Sequence, residues 1–238
     1  MIRIGVLASG SGSNLQAILD ACAAGRVDGT VAVVVSNVPG ALALERARAA
    51  GAAAELLPSK GVADRAAYDA ALVERLRAHA VDLVCLAGYM RIVTPAFLEA
   101  FGPGEATRGC PRVMNVHPAL LPSFPGLHAQ RQAVEHGARF SGCTVHFVDA
   151  GTDTGPIVVQ AVVPVLPGDT EETLAARILV EEHRVYPQAV QWFAEGRLSV
   201  TGRRVVVAGA SSPSLDGVAN PSRDLRDGPA PRRGPSAP

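Results

Sequence analysis

Aromatic residues are scarce, at 4% of a 238-residue chain. Single-stranded nucleic acid is held by stacking bases on aromatic rings, so that class of binder is disfavoured. Charge imbalance is missing too: Lys+Arg and Asp+Glu both number 22. No basic run appears ahead of the C-terminal tail, and nothing reads as a surface for nucleic acid or anionic lipid. The four cysteines, Cys22, Cys85, Cys110 and Cys143, form no CxxC pair. That spacing disfavours a zinc or dithiol site, and three of the four sit in apolar segments, where they read as small core residues. No apolar run reaches the ~20 residues of a membrane helix. The start, MIRIGVLASG, runs straight into a strand-like pattern with no signal-peptide core. A cytoplasmic protein with one main domain is expected, its 48% hydrophobic content ample for a core.

What is present alternates. Short apolar runs at 2–8, 30–36 (TVAVVVS), 53–57 and 81–87 (VDLVCLA) read as buried strands. Between them, 15–24, 41–50 and 64–79 carry helical spacing, with Ser13 or Asn14 as a candidate N-cap for the first and Gly51 closing the second. Strands alternating with helices predict an α/β fold: an open, mostly parallel twisted sheet with helices on both faces and a Rossmann-like N-terminal half. Beyond that, 101–112 reads as a loop and 113–116 as a strand. Helix is expected at 127–136, strands at 144–148 and 157–164 around DAGTDTGP, a long helix at 171–193 and a terminal hairpin at 197–207. Residues 209–238 are rich in Pro, Gly, Ser and Arg and poor in large apolar side chains. They cannot bury enough surface to offset ordering entropy and read as a disordered tail. The expected organisation is a domain over 1–208, divided near residue 100.

The first strand empties into ASGSGSNLQAIL. A Gly/Ser turn entering a helix presents free N–H groups and the positive end of the helix dipole, which suits phosphate. Position 15 is Leu, so the GxGxxG dinucleotide pattern fails. No P-loop Lys follows, and the second strand ends in Ser36-Asn37 with no acid for a nicotinamide-type ribose. A single phosphate monoester fits best; a tight turn that merely needs small residues is the plainer alternative.

In NVHPALLPSFPG, Asn115 and His117 stand two apart after an apolar run, and three prolines stiffen the exit. At a strand end, i and i+2 point to one side. An Asn amide donates hydrogen bonds, a His carries protons, and a carboxylate nearby favours its charged form. Asp149 and Asp153 are the candidates for that carboxylate. Together these groups suit acyl transfer to an amine: Asn and His face a developing oxyanion, and the acid with a water takes the amine proton. No GxSxG elbow is present, so direct transfer is favoured over a covalent intermediate. A His before Pro is also a common turn residue with a purely structural part.

Six segments extend this pattern: SGSGSNLQAIL, SNVPGALALERA, LAGYMRIVTPAF, NVHPALLPSFPGLHAQRQAVEHG, GCTVHFVDAGTDTGPIVVQAVVPV and EEHRVYP. In this order, from about residue 2 to 200, the chain resembles the folate-dependent phosphoribosylglycinamide formyltransferase family. That resemblance implies direct attack of the substrate amine on 10-formyltetrahydrofolate, a co-substrate, with no metal. It implies a catalytic Asn115, His117 and Asp153, and a ribonucleotide phosphate held by Ser11, Gly12, Ser13 and Asn14, with Glu182 also touching that substrate. It implies a folate pocket from Arg65, Met90, Arg91, Ile92 and Val93, together with Asn115 and the loop of Asp149, Ala150, Gly151, Thr152 and Asp153. His128 is a further site-lining candidate.

Two departures from the family pattern stand out. The 101–112 connection is longer than usual, and Gly151-Thr152 replace an acid and a Leu before Asp153. The partners implied are the two small molecules, glycinamide ribonucleotide and formyl folate, with neither nucleic acid nor membrane, on a monomer or homodimer. Three alternatives stand beside transfer. A formyl-folate hydrolase normally carries an extra N-terminal domain, whereas the sheet here begins at residue 2. A formyltransferase for initiator tRNA carries a further basic domain. A non-catalytic phosphate or folate binder needs no matched His117 and Asp153.

Overall fold

The computed structural model describes residues 1–104, 107 and 109–210. Apart from residues 209 and 210, the expected disordered tail lies outside them. In chain order the elements are β1 (Ile2–Ala8), α1 (Ser13–Ala23), β2 (Gly29–Ser36), α2 (Leu42–Ala49), β3 (Ala53–Leu56), α3 (Arg65–Ala78), β4 (Leu83–Leu86), α4 (Pro95–Ala100), β5 (Val113–His117), α5 (Ala129–Glu135), β6 (Phe140–Phe147), β7 (Ile157–Pro164), α6 (Glu171–Ala194), β8 (Leu198–Thr201) and β9 (Arg204–Val207). The described strands make one sheet in the order β3-β2-β1-β4-β5-β6-β7-β9-β8. Pairing is parallel from β3 to β5 and antiparallel from β5 through β6 to β7. The α/β architecture expected from the alternating pattern is therefore present.

Both faces of the sheet are covered because successive side chains on a strand alternate. From β1, Ile4, Val6 and Ala8 join the core under α1, α2 and α6, while Leu7 joins the core under α3 and α4. On the first face, Leu15 and Ile18 of α1 are fully buried, each contributing about 1.5–3 kcal/mol by leaving water. Truncating Leu15 to Ala would cost about 2–5 kcal/mol. On the second face, Tyr68, Leu72 and Leu76 line one stripe of α3, whose first turn is capped by Asp64 accepting from the Ala67 N–H at 3.0 Å. Helix α6 is pinned to the sheet by Tyr186: its buried hydroxyl lies 3.0 Å from each of the Leu86 and Met114 carbonyls. A Thr170/Thr173 capping box starts that helix, and Pro187 within it supplies no N–H to the ladder.

Three local readings change. The first helix is capped by Gly12, and Ser13 and Asn14 lie inside it. Helix α4 adds an element, with Thr94 as its N-cap and Pro95 in its first turn. Strand β6 begins four positions earlier than 144. Cys85, Cys110 and Cys143 are buried, and burial pushes the Cys85 and Cys143 thiols up to about 12, as small core residues rather than nucleophiles. Among the described residues no helix is long and apolar enough to cross a membrane.

Candidate active site

The strand order reverses between β1 and β4, and there the carboxyl ends of two parallel strands leave a crevice. A cavity of about 250 Å³ opens at that point. Ser9, Gly10, Ser11, Gly12, Ser13 and Asn14 form one wall, and Ala87, Gly88 and Met90 the other. Gly12 is required twice over. Its φ of 70° is left-handed, and a Cβ on it would lie 2.8 Å from the Ala43 Cα. Among the described residues no side chain caps the first turn of α1, so its leading N–H groups suit a ligand, and the dipole favours an anion. The four residues expected to hold phosphate are therefore together on one wall.

At the edge of this cavity Asn14 meets Glu182, which α6 brings in from far along the chain. The Asn14 Nδ2 donates to Glu182 Oε2 at 2.7 Å. Burial pushes the Glu182 carboxyl above its ordinary value, against the pull of that hydrogen bond. Among the described residues Asn14 Oδ1 has no hydrogen-bond partner although it is buried, so an acceptor is left over beside the cavity.

The second cluster sits on β5 and β6. Asn115 and His117 share a face of β5, and β6 sets His146 opposite Asn115 and Thr144 opposite His117. The His117 Nε2–H donates to the Phe124 carbonyl at 2.8 Å, while Nδ1 faces Asp153 Oδ2 at 3.3 Å. The same carboxylate oxygen accepts from the Gly126 N–H at 2.8 Å, so the proline-stiffened segment after His117 is tied to the Asp153 loop. Asp153 has a left-handed φ of 54°. Its loop is shaped by Asp149, whose Oδ1 accepts from Gly151 N–H at 3.1 Å and Thr154 Oγ1 at 2.6 Å. Ala150 and Gly151 are exposed along it, and so is Thr152.

Sequence reasoning did not single out His146 as a site residue. Its Nδ1 faces the Phe147 carbonyl at 2.9 Å, which assigns the proton to Nδ1 and leaves Nε2 to accept from Asn115 Nδ2 at 3.2 Å. Burial lowers its pKa, partly opposed by the Phe147 carbonyl and the charge of Asp153, whose Oδ1 lies 3.7 Å from Nε2. A neutral His146 thus fixes which way the Asn115 amide points. The register signal was a polar residue alternating with apolar ones in GCTVHFV, but only strand pairing tells which residue it meets.

The expected folate wall is the turn after β4. Met90 and Ile92 are exposed by 64% and 57%, large for apolar side chains beside a cavity. Arg65, at the start of α3, donates from Nη2 to the Ile92 carbonyl at 2.8 Å and braces that turn. Arg91 lies back over the Tyr68 ring, 4.3 Å from its centroid. Val93 is buried in the core with α3 and α4, so its side chain packs inward and only its backbone borders the turn. His128 does not join the cluster: it is largely exposed and its Nδ1 faces Glu171 Oε1 at 3.3 Å.

The chain has relatives among known proteins. Residues 2–190 match the family described as formyl transferase. The phosphoribosylglycinamide formyltransferase of Escherichia coli is 46% identical over 199 residues, 84% of this chain and 90% of that protein. The trifunctional purine biosynthetic protein adenosine-3 of Drosophila melanogaster is 48% identical over 196 residues, 82% of this chain and 14% of that longer protein. Glycinamide ribonucleotide transformylase 1 from Symbiobacterium toebii has the same fold, with a TM-score of 0.82 and 60% identity over 87% of this chain and 94% of that one. A formyltetrahydrofolate deformylase from Pseudomonas syringae is more distant, at 27% identity and a TM-score of 0.76, with 65% of its length covered. The chain belongs to the formyl transferase family, among its phosphoribosylglycinamide formyltransferases.

Proposed function

We propose that this chain transfers the formyl group of 10-formyltetrahydrofolate to the amine of 5-phosphoribosylglycinamide, as a cytoplasmic step in building the purine ring. The observation that carries this reading is the pairing of two sites. A cavity walled by a glycine loop lies at the end of β1 and β4, and the strand next to β4 carries Asn115 and His117. One suits the phosphate of the acceptor and the other the chemistry at its amine. The ribonucleotide would contact Ser11, Gly12, Ser13, Asn14 and Glu182. The folate would lie against Met90, Ile92 and the backbone of 91–93, with Arg65 bracing the turn and the 149–153 loop closing on it. In this reading the half up to about residue 100 holds phosphate, and 101–208 supplies the folate loop and the catalytic groups.

The chemistry follows from the geometry. The amine lone pair forms a C–N bond to the formyl carbon, and the carbonyl pair moves to oxygen. One N–H of Asn115 is held by His146, leaving the other for that oxygen. With a proton on each ring nitrogen, His117 satisfies both the Phe124 carbonyl and Asp153, and its positive charge acts on the oxyanion. Asp153, through a water, takes the proton that the amine sheds. The oxygen pair then returns, the bond to the folate nitrogen breaks, and that nitrogen leaves as an amine after gaining a proton. One oxyanion donor contributes about 10²–10³ in rate, and general-base help about 10²–10⁴.

Hydrolysis of the formyl folate is the second reading, since a deformylase shares the fold. Water would replace the amine, and the phosphate cavity would have no task. Following tetrahydrofolate release with and without glycinamide ribonucleotide separates the two. Release only with the ribonucleotide supports transfer. Equal release in its absence supports the hydrolase, and no release in either case overturns both.

A further inference from the structure

Ser9 stands between β1 and the glycine loop, and its hydroxyl uses both of its capacities. It accepts from the Met90 N–H at 2.8 Å and donates to Asn37 Oδ1 at 2.6 Å. The Ser9 N–H also donates to the Gly88 carbonyl at 3.1 Å. Asn37, buried just past β2, donates from Nδ2 to Ser59 Oγ at 3.1 Å, and its carbonyl accepts from the Ser59 N–H at 3.3 Å. The bonds from Met90 through Ser9 and Asn37 to Ser59 run in one donor direction, so each polarises the next.

This chain of bonds ties together the two walls of the cavity. The far end of the 88–94 turn is held independently of the glycine loop: the Thr94 N–H donates to Asp69 Oδ2 at 2.6 Å, and Arg65 holds the Ile92 carbonyl. The near end is joined to the glycine loop through Ser9. A ligand on the glycine loop that favours one position of Ser9 therefore favours one position of Met90.

We infer that Ser9 is a positioning residue that couples the two substrate pockets, its hydroxyl setting the Met90 turn against the glycine loop so that each substrate tightens the binding of the other. The inference rests on the two-substrate reading above. Coupling of this kind is reciprocal and typically about 5–150-fold in affinity. Ser9→Ala leaves the Met90 N–H and Asn37 Oδ1 without their partner and frees Met90 from the loop, while the main-chain bond from Ser9 to Gly88 and the clamps of Asp69 and Arg65 remain.

The test is the dissociation constant of tetrahydrofolate, measured with and without saturating glycinamide ribonucleotide. The native chain is expected to bind tetrahydrofolate at least ~5-fold more tightly with the ribonucleotide present. In Ser9→Ala the ratio should fall to within about twofold of one, and Ser9→Thr, which keeps the hydroxyl, should restore it. Arg65→Ala should weaken tetrahydrofolate binding with and without the ribonucleotide alike, leaving the ratio intact. If Ser9→Ala does not fold, Ser9→Cys, close in volume but a weak hydrogen-bond partner, must show the same loss of ratio. A native ratio of one, or a native-like ratio in a folded Ser9→Ala, overturns the coupling while leaving the transferase reading in place. A native chain that binds neither probe overturns both.

Discussion

Replacing Asp153 by Asn separates the two things this carboxylate does. Its Oδ2 anchors the Gly126 N–H at 2.8 Å and faces His117 Nδ1 at 3.3 Å. An Asn side-chain oxygen can still accept from Gly126, and Asn tolerates a left-handed φ such as the 54° found here better than most residues. The loop should therefore keep its shape while the charge disappears. At the 3.3 Å separation from His117, a unit charge pair is worth about 5 kcal/mol at an effective dielectric constant of 20 and about 1.3 kcal/mol in water. The Asp153 side chain is 14% exposed, which places the pair between those limits. Losing the charge together with the proton acceptor should lower kcat by about 10³, in the middle of the general-base range. Steady-state kinetics with both substrates varied, beside a thermal melt, reads this out. A kcat within threefold of native, or a loss that appears mainly in the folate KM with a lowered Tm, would show that Asp153 is only a loop anchor.

Other expectations follow from the same geometry. Gly12→Ala forces a Cβ to 2.8 Å from the Ala43 backbone at a left-handed φ; it should cost about 1–3 kcal/mol in urea denaturation and abolish ribonucleotide binding at native-saturating concentration. Glu182→Gln should change stability in a pH-dependent way. Burial raises the Glu182 carboxyl above 4.5, so between 4.5 and that raised value the folded chain holds more protons than the unfolded one. Its contribution is therefore fully present below 4.5 and is lost as pH rises through the folded value. Gln has no proton to lose and can still accept from Asn14, so the variant should match native in urea midpoint at pH 4 and exceed it at pH 8; an offset that is the same at both would refute the burial argument.

The fold was legible wherever one period dominated. Runs such as TVAVVVS can only be buried strands in a chain that alternates with helices, and β1 to β4 lie where they were expected. Strand β6 extends back past 144 through Ser141 and Gly142, residue types common in turns. Both are buried in the strand, and a Cβ on Gly142 would collide with the Ala161 carbonyl across the ladder. The glycine there serves close strand approach, which local composition cannot distinguish from a turn. Helix α4 was signalled by Thr94-Pro95, an N-cap followed by a first-turn proline, but six residues carry too little periodicity to stand out. The paired chemistry of Asn115, His117 and Asp153 came from sequence spacing and family motifs. His146 and Ser9 did not, because their parts depend on partners 31 and 81 positions away.

The site also explains why the sheet stops being parallel where it does. On its β4 side Asn115 pairs with Leu86, in the strand that leads to the 87–93 turn. On its other side the antiparallel β6 opposes it with His146. The glycine-loop cavity and the 87–93 turn can then both be built from the loops that follow parallel strands, which end at one edge. Orienting the Asn115 amide needs something different: a fixed, buried acceptor beside the strand rather than beyond its end. A cross-strand neighbour provides that, since its side chain stands about 5 Å away on the same face. The hairpin loop leaving β6 must then turn back for Asp153 to reach His117, and the Asp149 turn and the left-handed Asp153 backbone make that reversal. Strand pairing thus holds Asn115 and His117, while a loop carries Asp153. That division suits a reaction in which oxyanion stabilisation must be rigid and the proton has to be passed to solvent.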